Sequence, residues 1–134
     1  MPSTALRVSF LLLVIFVAAC ASERSRLDTL DNTWRAYERH MRWAEFQAAS
    51  VFARDLPPEA VARFLERSSH IKVTAYDTVS SSVEEQQMRA MQTVQIKYYD
   101  TDYMAEKTIV DRQQWSYDAK QGIWYLTSGL PDFK

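Results

Sequence analysis

The sequence predicts an α+β domain: a long N-terminal helix and a short second helix packed on a curved four-stranded antiparallel meander. Three observations predict it. Apolar residues recur at steps of three and four over residues 27–53, then switch to a period of two after Ser68-Ser69, and a Gly-containing loop at residues 118–122 joins two aromatic-rich runs. At 134 residues there is room for one domain.

The first helix is read from about residue 27 to 53. Leu30, Trp34, Tyr37, Met41, Ala44, Ala48 and Phe52 form a stripe roughly 80° wide, and neither Gly nor Pro interrupts them. Asp55-Leu56-Pro57-Pro58 ends this run, because a residue before proline avoids the α region and proline suits the first turn of a helix. The second helix is expected from Pro58 to about Ser68, with Ala60, Val61, Phe64 and Leu65 as its apolar side.

In the first strand Ile71, Val73 and Ala75 alternate with Lys72, Thr74 and Tyr76, and residues 80–85 read as a polar loop. The second strand puts Ala90, Val94, Ile96 and Tyr98 on one side. A turn at Asp100-Thr101-Asp102 leads into a third strand over about 103–117, with Ala105, Ile109, Trp115 and Tyr117 inward. Residues 123–128 make the last strand. Pairing Tyr99 with Met104 matches the apolar sides; it sets Val94 opposite Ile109, Gln92 opposite Asp111 and Ile96 opposite Lys107. This element order, closed by the hairpin "QQWSYDAKQGIWYLTS", resembles the cystatin-like/nuclear-transport-factor-two-like superfamily over residues 27–130. The resemblance implies a cone-like fold that hosts enzymes, ligand binders and interaction modules alike.

The N-terminus reads as an address. Arg7 is followed by an almost unbroken apolar stretch from Val8 to Ala19, whose strictly apolar core, Phe10 to Ala19, is about half the roughly 20 residues a transmembrane helix needs. The segment closes on Val17-Ala18-Ala19-Cys20, which resembles the bacterial lipobox. The resemblance implies removal of residues 1–19, acylation of Cys20 and a membrane anchor, with residues 21–26 as a polar tether. Two or three acyl chains hold a protein firmly where one does so only reversibly. Ala21, rather than Asp, follows the cysteine, which implies delivery to the outer membrane, facing the periplasm, in a Gram-negative envelope. Cys20 is the sole cysteine, so its acylation leaves no thiol for disulfides, metals or catalysis.

Chemistry is sparse. A net charge of −1 without a clustered basic surface argues against nucleic acid. Asp31/Arg35, Glu38/Arg42 and Glu59/Arg63 are helical i,i+4 pairs on a solvated face. Two glycines cannot form a phosphate loop, no metal or nucleophile motif occurs, and no cofactor is implied. His40 reads as a boundary residue beside the stripe, His70 as exposed, and Asp100/Asp102 as a turn.

Two candidate sites remain. The first is a cleft lined by Asp111 and Lys107 on the inward face with Gln92, Gln113, Tyr98 and Trp115. Superfamily enzymes place polar groups inside the cone, so Asp111 is a candidate base and Tyr76, Tyr98 or Tyr117 a candidate donor; no family motif matches residue by residue. The second is Trp43 and Phe46, which point about 140–160° away from the stripe beside Arg39 and Arg42. Such aromatics mean a helix covered on two sides, a helix that bends, or a surface for another envelope protein or a second copy of the chain. The expected function is non-catalytic protein interaction or assembly at the membrane, with an apolar-ligand binder, isomerase or hydrolase around Asp111 as the alternative.

Overall fold

The computed structural model describes the backbone of residues 4–134 and side chains from residue 20 onward. The signal segment expected over residues 1–19 therefore lies outside the described side chains. The elements are α1 (Thr4–Arg42), α2 (Phe46–Ser50), α3 (Pro58–Ser68), β1 (Ile71–Val83), β2 (Arg89–Asp100), β3 (Ala105–Asp118) and β4 (Ile123–Leu126). Helix α1 packs on one face of an open antiparallel sheet ordered β1-β2-β3-β4, as the α+β class predicts.

Residues 21–26, expected as a tether, are helical. No Gly or Pro lies there, and most of the residues tolerate a helix well. Tertiary bonds also hold this turn to β4 and to the loop between β1 and β2. The indole Nε1 of Trp124 donates to the Arg26 carbonyl at 3.0 Å, and Gln87 Nε2 donates to the Glu23 carboxylate. Among the described residues no helix is long and apolar enough to cross a membrane.

The predicted stripe holds as far as Met41: Leu30, Tyr37 and Met41 are buried and Trp34 packs against them. The helix then stops at Arg42, eleven residues before the predicted end. Ala44 takes φ 55°, its N–H bonds to the Met41 carbonyl at 3.2 Å, and the Glu45 N–H reaches back to His40 at 2.8 Å. This is a Schellman C-cap built on alanine, where glycine is the usual occupant. The change of direction corrects the reading of Phe46 as a surface residue. It starts α2 and turns inward, 6% exposed, with its ring 5.8 Å from Phe64 and 5.6 Å from Phe133.

Helix α3 begins and ends where Pro58 and Ser68 were expected to bound it. The strands depart from expectation in three places, besides β4 ending at Leu126 rather than at residue 128. Thr74 and Val79 are extra residues on β1, since Val73 and Ala75 pair with the adjacent Tyr98 and Lys97, and Thr78 and Ser80 with Val94 and Thr93. The first bulge reverses the alternation and buries Tyr76, which was expected outward. Residues 80–83, expected in a loop, pair with residues 90–93 of β2. In β2–β3 the ladder closes at Asp100 opposite Ala105, so Val94 faces Asp111, Gln92 faces Gln113, Ile96 faces Ile109 and Tyr98 faces Lys107. Relative to the predicted register this is a slip of two, which preserves every inward and outward assignment. Ala90, Val94, Ile96, Tyr98, Trp115, Trp124 and Leu126 accordingly form the sheet's buried face.

Candidate functional site

The structure brings part of the predicted cleft together and separates the rest. Asp111 and Gln113 stand two apart on β3 and face α1, while the Thr74 bulge turns Tyr76 of β1 toward them. Gln113 Nε2 donates to the Tyr76 hydroxyl and to Asp111 Oδ2, both at 2.8 Å. Its carbonyl oxygen accepts from Trp115 Nε1 at 3.2 Å. Gln92 sits directly across the ladder from Gln113 and donates to Thr78 Oγ1 at 3.4 Å.

Helix α1 closes this nest from above. The Tyr37 ring lies 5.4 Å from Trp115 and 5.6 Å from Phe52, edge-on to both, and its hydroxyl is buried with no hydrogen-bond partner among the described residues. Burial pushes the Asp111 carboxyl above its usual value, against the Gln113 hydrogen bond that favours its charge. Burial also raises Tyr37 and Tyr76, and Asp111 adds to both shifts, so the surroundings disfavour the charged form of all three groups. A mostly buried acid beside two phenols has the composition of a proton-transfer site, and the neighbouring Tyr37, Phe52 and Trp115 rings pack edge-on against one another.

Lys107 and Tyr98 do not belong to this nest. They face each other nearer the other end of the ladder, and both donate to the main-chain oxygen of Lys134, Tyr98 at 3.0 Å. Four residues along a strand separate Lys107 from Asp111 by about 13 Å, too far for a direct pair. Tyr117 lies toward β4, its ring 5.3 Å from Trp124.

The surface candidate is reduced to three residues. Trp43 is 75% exposed in the turn after α1, and Arg39 is exposed one helical turn earlier. Arg42 is tied down: it pairs with Glu38 at 2.8 Å and donates to the Tyr76 carbonyl at 2.8 Å, joining the surface to the polar nest through β1. The break at Ala44 removes Phe46 from this group. His40 Nδ1 lies 2.6 Å from Glu45 Oε2 and straps the same turn. His70 is exposed near Asp102, as the sequence suggests.

Sequence reasoning missed two features. Tyr37 belonged to the apolar stripe, and nothing in that pattern signals a hydroxyl without a partner. The outer edge of β3 has its signal in the run "EKTIVDR", whose charges are inverted in sign about its centre. No family model, curated protein or solved structure matches the chain.

Proposed function

We propose that the protein is a lipoprotein of the bacterial envelope, anchored through acylated Cys20, whose domain acts as a non-catalytic protein-interaction or assembly module. The observation that carries this reading is the Val17-Ala18-Ala19-Cys20 motif at the start of an unbroken helical path into the domain. Cys20 is exposed, and from it α1 runs to Arg42, about 33 Å at 1.5 Å per residue. An acylated Cys20 would thus join the domain to the membrane through a stiff strut, with Trp43 at the far end. Ala21 favours the outer membrane of a Gram-negative cell. The helix on an open four-stranded antiparallel meander is compatible with a cystatin-like fold, and the mutual packing of Tyr37, Phe52 and Trp115 beneath the helix favours surface binding over an internal ligand.

Replacing Cys20 with Ser tests the anchor: the chain should remain at precursor length or leave the membrane fraction. Retention in the membrane at mature length refutes lipidation. Trp43→Ser combined with Arg39→Ser tests the surface and should alter the proteins that co-purify with a folded chain; an unchanged set removes this surface from the proposal.

The second reading, an apolar-ligand site around Asp111, draws on the buried Tyr37 hydroxyl and the raised carboxyl beside it. It requires the rings above Asp111 to part. A panel of apolar ligands that leaves the melting temperature unchanged ends that reading.

A further inference from the structure

The sheet has two edges, and they are unlike. The β1 edge is interrupted by bulges at Thr74 and Val79, a common way of blunting an edge against pairing. The β4 edge is short: β4 pairs only with residues 115–118 of β3. Over residues 105–113, β3 therefore has β2 on one side and no strand on the other.

The direction of its backbone groups follows from neighbouring bonds. The Gln114 carbonyl accepts from Thr127 at 2.8 Å and its N–H donates to Ser128 Oγ at 3.1 Å, both on the β4 side. The Tyr117 N–H points the other way, to Met88 at 2.9 Å. Alternation along the strand then sends the N–H and C=O groups of Glu106, Thr108, Val110 and Arg112 out of the free edge. None of these groups has a hydrogen-bond partner among the described residues. The side chains of these four residues are exposed, Val110 at 52%.

We propose that this edge binds a second copy of the chain, β3 to β3 antiparallel, about a two-fold axis at Ile109, so that the sheets of the two protomers become one. Three independent features of residues 105–113 meet at that axis. The first is parity. Pairing about Ile109 sets Glu106 against the partner's Arg112 and Thr108 against the partner's Val110, so outward-pointing backbone groups meet each other. The second is charge. The run Glu106-Lys107-Thr108-Ile109-Val110-Asp111-Arg112 is inverted in sign about its centre. Glu106 opposes the partner's Arg112 on the outer face, and Lys107 opposes the partner's Asp111 on the inner face. Moving the axis to Thr108 or Val110 also satisfies parity but sets no opposite charges across from one another. The third is length. Ile109 is the midpoint of the open run, so both strands use all of it and neither meets the other protomer's β4.

The inner pair also answers a need within each protomer. Asp111 is mostly buried and has only the neutral Gln113 amide as a side-chain partner. The Lys107–Asp111 contact falls at a non-hydrogen-bonded position, where opposing Cα atoms come within about 4.5 Å and side chains lie closest. A two-fold contact of this kind uses the open edge of each copy and closes on itself, so the product is a dimer rather than a fibre. The bulges of β1 protect the remaining edge.

This inference deepens the interaction-module reading by naming the partner, and its test is independent of lipidation. Full-length chain carrying Cys20→Ser, purified in detergent, is the background throughout. In it Ile109→Cys should form a disulfide-linked dimer under mild oxidation, because Cα atoms across the axis fall within disulfide range. Glu106→Cys should not, because its two copies stand about 20 Å apart along the strands. Equal cross-linking at both positions, or none at 109, overturns the proposal. Charge exchange on the exposed pair provides the second measurement. Glu106→Arg or Arg112→Glu alone should raise the dimer dissociation constant about tenfold or more, and the two together should restore it. A double variant no better than either single variant refutes the register. A Cys20→Ser chain with no further change that sediments as a monomer refutes the dimer, even if a strand from another protein occupies the edge.

Discussion

The Tyr76 hydroxyl and the Asp111 carboxylate share a single donor, Gln113 Nε2, at 2.8 Å each. The two residues are on strands separated by β2, and only the Thr74 bulge lets Tyr76 face the same interior as Asp111. Gln113 is 1% exposed, and its remaining oxygen accepts from the Trp115 indole. One amide therefore satisfies three groups beneath α1. Replacing it with an isosteric apolar residue strands all of them. Gln113→Leu should lower stability by about 2–3 kcal/mol, read as a reduced urea midpoint at unchanged slope. A loss under about 0.5 kcal/mol would mean that water already serves these groups.

Asp111 gives the fold a pH dependence of definite sign. Its carboxyl is raised in the folded state, chiefly by burial, so the folded chain holds this proton more tightly than the unfolded chain does. Its contribution is most favourable below the ordinary carboxylate value of about 4 and is lost as pH rises through the raised value. Asp111→Asn removes that titration while the side-chain oxygen still accepts from Gln113. In the monomer, where no second copy sets an ammonium beside Asp111, the variant should melt above the wild type near pH 7, and the difference should vanish at low pH. A difference that persists unchanged at low pH would show that the wild-type carboxylate gains as much from its surroundings as burial costs it.

Phe46 and Trp43 lie three residues apart but on opposite sides of the turn, and their truncations should differ sharply. Phe46 sits among Phe64 and Phe133, and Phe46→Ala should cost about 3 kcal/mol in unfolding free energy. Trp43→Ser, in solvent, should fall within about 0.5 kcal/mol of the wild type. Similar losses for both would place Trp43 in a contact that α1 and α2 do not provide.

Which parts of this molecule were legible in its sequence follows from how local each determinant is. The period change at Ser69, the Pro-led α3 and the Gly122 hairpin are local, and all three elements appear where they were expected. Inward and outward faces of β2 and β3 survived a wrong register because the error was even. The slip did change partners, setting Gln92 across from Gln113 and Tyr98 across from Lys107. Lys107 and Asp111, four residues apart on one strand, share a face but are distant in any register. The Thr74 bulge carries no local mark, being a mismatch between β1 and β2, so Tyr76 was placed outside. The end of α1 was hidden for a different reason. Breaks are read from Gly or Pro, and this one is made by alanine.

That alanine supplies the sharpest test of the helix end. Ala44 adopts φ 55° to close the Schellman cap, a conformation in which a Cβ crowds the following carbonyl at a cost of roughly 1–2 kcal/mol. Glycine has no such penalty, although it gives the unfolded chain more freedom to lose. The first effect is the larger at a left-handed position. Ala44→Gly should therefore stabilise the domain by about 0.5–1 kcal/mol, with a raised urea midpoint. The partly buried Ala44 methyl packs against the core, so a little of that gain is given back. In the continuous helix that the sequence pattern suggests through residue 53, the same substitution would instead cost about 1 kcal/mol. The sign of one measurement thus distinguishes a helix that turns at Ala44 from one that runs through it.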